Sequence, residues 1–133
     1  MKLVLDTNKL FSFFWKGSLI SNLLSSDHDL YSPKFALEEL DKHKSEILKK
    51  TKLSSTDFEE FKIKLQNVVE FVPFSEYADK IPEAFNLMPE HAKDTDFLAL
   101  ALKLNAAIVS NDKELKMQSA VEIFDNARIS ELL

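Results

Sequence analysis

Four carboxylates stand where a chain of alternating strands and helices would gather them. The strand-like run Lys2–Leu5 stops at Asp6, and the run Ala106–Val109 is followed by Asp112. Asp94 opens the helical stretch before that second run, and Glu39 lies early in a helix that follows Leu30-Tyr31. Carboxylates that converge repel one another unless a divalent cation lies among them. Mg²⁺ and Mn²⁺ are hard cations that prefer carboxylate oxygen and water. A pair of them about 3.5–4 Å apart clamps an in-line phosphoryl displacement, one generating hydroxide and the other stabilising the leaving 3′ oxygen. No histidine base is then needed, which suits a chain whose His28, His43 and His91 form no H-x-x-x-H pair.

Each acid also has a plainer role. Aspartate after a strand caps a helix well, which covers Asp6, Asp94 and Asp112. Asp96 would favour the positive end of its helix dipole, and Glu38 and Glu39 could face solvent. The set is narrower than its members. Two of the three aspartates end apolar strands that would pack side by side, and Ser, Thr or Asn would have capped equally well.

Alternation of strand and helix runs through the whole chain. Strands are expected at Lys2–Leu5, Asp29–Tyr31, Glu70–Val72, Ala106–Val109 and Val121–Phe124. Helices are expected over Thr7–Trp15, over Ser18–Leu24, and from Ser32 (N-cap) and Pro33 (first turn) to about Lys49. Further helices follow from Ser54, with Phe58, Phe61, Ile63, Leu65 and Val68 partly at helical spacing. Ser75–Phe85 reads as helix interrupted by Pro82; Asp94–Leu104, Asp112–Lys116 and Ala127–Leu133 complete the set. Strands as apolar as 2–5 and 106–109 are buried on both faces, which predicts a three-layer α/β/α sandwich around a mainly parallel sheet. Ligands of such sheets bind beyond the carboxyl ends of the strands, where Asp6 and Asp112 lie.

The 133 residues suffice for one domain, taken as 1–133, with a real core. Cysteine is absent, which removes disulfides, thiolate metal sites and cysteine nucleophiles. No stretch approaches the roughly 20 apolar residues of a membrane span, and no signal-peptide layout opens the chain. A soluble cytoplasmic protein is expected. A formal charge of −5 argues against coating nucleic acid by charge alone. The single glycine, Gly17, excludes the phosphate-cradling glycine loops.

The ordered motifs resemble a PIN domain. Leu5-Asp6-Thr7-Asn8 looks like its opening, and Leu37-Glu38-Glu39-Leu40 after Ser32-Pro33 like its second motif. Asp94-Thr95-Asp96 with the following Phe97–Leu102 looks like the third, and Ile108-Val109-Ser110-Asn111-Asp112 like the fourth. The resemblance implies a Mg²⁺- or Mn²⁺-dependent endoribonuclease that cuts single-stranded RNA with metal-activated water, as the toxin of a VapC-type toxin–antitoxin pair. Asp6, Glu39, Asp94 and Asp112 match the family's catalytic acids, with Asp6, Asp94 and Asp112 as metal ligands and Asp96 as a further one. Asn8 and Ser110 match accessory polar positions that orient carboxylates or a water by hydrogen bonds. An antitoxin protein and a second copy of the chain are the implied partners. Many relatives carry another acid where this chain has His91.

A different class of protein, a PIN-like module that binds RNA or protein without cutting, is the alternative. A phosphoacceptor receiver domain would want an acidic pair after the first strand, and a D-x-D phosphatase an acid at Asn8; both fit poorly. Lys49 and Lys50, in the basic run that ends the Glu39 helix, are candidates to hold an RNA backbone, against a solvated helix end favoured by the dipole. Phe11, Phe13, Phe14 and Trp15 cannot all be buried on one helical face, so the reading is divided between a surface that faces a partner or a second copy and a place in the core.

Overall fold

The structure, a computed structural model, describes residues 1–15 and 18–133. Gly17 lies outside them. Five strands, β1 (Lys2–Leu5), β2 (Asp29–Pro33), β3 (Val69–Val72), β4 (Ala107–Val109) and β5 (Ile123–Phe124), form a single sheet in the order β3-β2-β1-β4-β5. Every neighbouring pair is parallel, so the sheet is wholly rather than mainly parallel. The chain moves outward in one direction from β1 to β3, then returns to place β4 on the other side of β1. The carboxyl ends of β1 and β4, where Leu5 pairs with Val109, are therefore the switch point of the sheet.

Alternation along the strands builds the two outer layers. Leu3, Leu5, Leu30, Val69, Ala107, Val109 and Phe124 face one side, whereas Val4, Val72, Ile108 and Ile123 face the other. The first side is covered by α1 (Thr7–Ser12), α2 (Leu19–Leu24), α3 (Lys34–Lys42), α4 (Lys44–Thr51) and α5 (Ser55–Val68), through Leu10, Leu23, Leu40, Ile47, Phe58 and Leu65, with Phe14 added from the turn after α1. The second is covered by α6 (Ile81–Leu87) and α7 (Thr95–Leu104), the latter buried from Phe97 to Ala101. This is the three-layer α/β/α arrangement.

Several local expectations shift. Ser32 does not cap a helix: it lies buried in β2, and its hydroxyl donates to the Leu5 carbonyl at 2.8 Å, leaving Pro33 at the N-cap position. The long helix expected to Lys49 breaks at His43, which ends α3 and opens α4. Ser54 does open α5, in a reciprocal capping box with Asp57. Pro82 starts a helix instead of interrupting one, because its missing N–H costs nothing in the first turn. Ahead of α6 the chain makes 3-10 turns at Phe74–Glu76 and Ala78–Lys80. The short helices expected late in the chain are 3-10 turns, Lys113–Met117 and Ile129–Leu132. No helix among the described residues is long and apolar enough to cross a membrane.

Candidate active site

The switch point delivers its acids one element at a time. Asp6 leaves β1 in extended geometry and caps α1, its Oδ1 accepting from the Lys9 N–H at 2.8 Å. Its other oxygen accepts from the hydroxyl of Ser110, the residue that leaves β4. The fully buried Ser110 hydroxyl also accepts from the Asp112 N–H at 3.0 Å. One serine thus ties the first acidic motif to the fourth. Asp112 caps the 3-10 turn that follows, through the Glu114 N–H at 3.0 Å.

Asp94 behaves differently. It stands at the N-cap position of α7, yet its side chain makes no capping bond. It is only 7% exposed, and its Oδ2 is buried with no hydrogen-bond partner. Such an orphaned acceptor is costly. Ligand oxygens of Asp94, Asp112 and Glu114 lie within 4.8 Å of one another. Burial, and then the charge and contact of the Asp112 carboxylate, push the Asp94 carboxyl up to about 6. Asp6 is also raised, chiefly by burial, with the Ser110 and Lys9 hydrogen bonds acting in the opposite direction. An unsatisfied buried oxygen among three hard carboxylates fits a divalent cation of the Mg²⁺ or Mn²⁺ kind.

A cavity of about 760 Å³ contains this corner; Asp6, Asn8, Glu39, Asp94 and Asp112 all line it. A smaller cavity of about 380 Å³, at the amino ends of β2 and β3, gathers no such cluster. Glu39 faces the larger cavity from α3 with Lys42 at 3.3 Å and His43 at 3.5 Å, while the neighbouring Glu38 is exposed. Asn8 is exposed at the rim. Lys50 lines the wall and pairs with Glu46 at 2.7 Å; Lys49 is exposed and does not line it.

Asp96 is separated from the cluster. Two residues on from Asp94 it is turned by about 200° around the helix axis, and its Oδ2 accepts the Tyr77 hydroxyl at 2.6 Å. In its place stands Glu114, which the sequence reading passed over. The available signal was an acid two residues after Asp112, inside the first turn that Asp112 caps. His91 Nδ1 approaches Glu114 at 3.0 Å. Lys93 lies 3.6 Å from Asp112 and 3.8 Å from Glu114. A second unforeseen residue is Lys9, 6% exposed, with its ammonium 2.5 Å from the Asn126 Oδ1. Burial lowers its pKa against the pull of Asp6 and Asp125.

Among functionally curated proteins, none matches the chain. Of solved structures, VapBC2 from Rickettsia felis, described as bound to a DNA fragment from their promoter, is similar with a TM-score of 0.62 at 21% identity. The match covers 94% of this chain and 98% of that one, and speaks to the fold. A family model described as PIN domain matches residues 4–129, which take in all four acidic motifs, and the chain belongs to the PIN domain family.

Proposed function

We propose that the chain is a metal-dependent endoribonuclease, cutting single-stranded RNA with Mg²⁺ or Mn²⁺ as cofactor. The observation that carries this is the buried, unpartnered Asp94 Oδ2 beside Asp112 and Glu114 at the switch point. Those three residues would hold the cation. Asp6 and Glu39 complete the acidic lining of the same cavity, and Asp96, engaged by Tyr77, is left out of the ligand set. When bound, the cation would neutralise the cluster and lower the pKa of a water enough for it to attack a phosphodiester.

The chain's own residues prepare that event. Ser110 holds Asp6 and the Asp112 backbone in one frame. His91 orients Glu114. Lys93 is largely exposed and can move from the carboxylates to an entering phosphate. Asn8 and Lys50 offer polar contacts along the wall.

The likeness of fold to a VapBC assembly supports reading the chain as the toxin of a VapC-type toxin–antitoxin pair. An antitoxin protein and a second copy of the chain are its proposed partners, and the cytoplasm its compartment. The test is cleavage of a single-stranded RNA pool by purified protein. Cleavage with Mn²⁺, abolished by EDTA and by Asp94→Asn, is expected. Persistence of the activity in EDTA, or its absence with every divalent cation, overturns the proposal.

A further inference from the structure

The aromatic run at the end of α1 and just after it divides in two. Phe14 is buried and stacks on Phe58, with centroids 4.9 Å apart and planes 15° apart. Phe13 packs edge-on against Phe61 at 5.8 Å. Those two belong to the core. Phe11 tilts against the His43 ring at 5.4 Å, and both rings line the cavity that holds the acids. Trp15 lines it too, is 38% exposed, and has no aromatic partner among the described residues.

We propose that Trp15, on the wall of the cavity that Phe11 and His43 also line, is a stacking subsite for one unpaired base of the RNA strand whose phosphate meets the acids. The inference rests on the ribonuclease reading of the same cavity. Three observations converge on it. The cavity, about 760 Å³, is far larger than one hydrated cation needs and suits a nucleotide. The chain carries a net charge of −5, so phosphate attraction alone holds RNA poorly and an uncharged contribution is required. Aromatic faces supply that contribution to single strands with little sequence preference, because every base has a π-face. A duplex keeps its bases paired and stacked and cannot offer one, so the subsite selects single-stranded substrate.

Trp15 is the only tryptophan in the chain, so emission excited selectively at tryptophan reports on this position alone. The experiment titrates the full chain with a single-stranded RNA of about ten nucleotides, once in EDTA and once in Ca²⁺. A saturable change in Trp15 emission is expected, with the midpoint found by anisotropy of the labelled strand and no such change with duplex RNA. Trp15→Ala is expected to weaken the anisotropy-measured affinity by roughly 5- to 150-fold, and Trp15→Phe by less. Binding of the labelled strand without any change in emission overturns the proposal. So does emission that follows protein concentration and ignores RNA, which would mark the wall as a protein interface. A cleavage assay in Mn²⁺ on the same preparation separates the two readings. Emission change without cleavage retains the subsite and removes the nuclease; cleavage without emission change does the reverse.

Discussion

Replacing Asp94 by asparagine should stabilise the metal-free protein at neutral pH. The Asp94 carboxyl sits at about 6 in the folded chain against an ordinary 3.8. About two pKa units correspond to about 3 kcal/mol between protonated and ionised forms. Below the usual carboxylate range both folded and unfolded chains carry the proton, and Asp94 costs nothing. Between about pH 4 and 6 the folded chain keeps a proton that the unfolded chain has released. The stability Asp94 contributes is therefore full in acid and is lost as pH rises through about 6. Asp94→Asn removes the charge but keeps the shape, and its amide can donate to the Asp112 carboxylate. In EDTA at about pH 8 the variant should gain up to about 3 kcal/mol, or on the order of 10 °C in Tm, and the gain should vanish near pH 4. Urea unfolding followed by far-UV circular dichroism at the two pH values reads this directly. If Asp94 were an ordinary helix cap, alteration would cost stability or leave it unchanged. A variant no more stable than its parent at pH 8 would refute the reasoning.

Other consequences are as concrete. By calorimetry, Asp112→Asn and Glu114→Gln should each weaken Mn²⁺ binding by about tenfold or more, while Asp96→Asn leaves it unchanged. Mn²⁺ affinity of the parent should fall as pH drops below about 6, where Asp94 takes up its proton. Ser110→Ala strands the Asp112 N–H and frees one Asp6 oxygen; a loss of about 1–3 kcal/mol in stability, with slower cleavage by protein that is still folded, is expected. Phe58→Ala empties the space under Phe14 and should cost about 3–5 kcal/mol in urea unfolding without changing Mn²⁺ affinity.

The acids that end strands were the most legible part of the chain. Apolar runs of four residues locate β1 and β4, and parallel pairing then forces Asp6 and Asp112 to one edge. Capping separates the acids: Asp6 and Asp112 each use one oxygen as a cap, while Asp94 caps nothing. That distinction was invisible in sequence, because it depends on how the turn before α7 meets the turn that carries Asp112 and Glu114. The break at His43 was equally hidden, since neither Gly nor Pro announces it. With so little glycine, helix ends fall on other residues: Lys52 and Asn105 take the left-handed conformation that ends α4 and α7. Glu114 and Lys9 were missed for related reasons. Lysine at position 9 reads as a solvated helix residue until α1 is laid against the loop carrying Asn126.

Asp94, Asp112 and Glu114 are proposed to hold a divalent cation at the sheet's switch point. Crystals of the protein grown with Mn²⁺, with data collected at the manganese absorption edge, test it most directly. An anomalous peak bonded to oxygens of these three residues, with Asp96 still on Tyr77, is the predicted result. A peak coordinated elsewhere, or no peak while the three carboxylates remain as they are here, would contradict it.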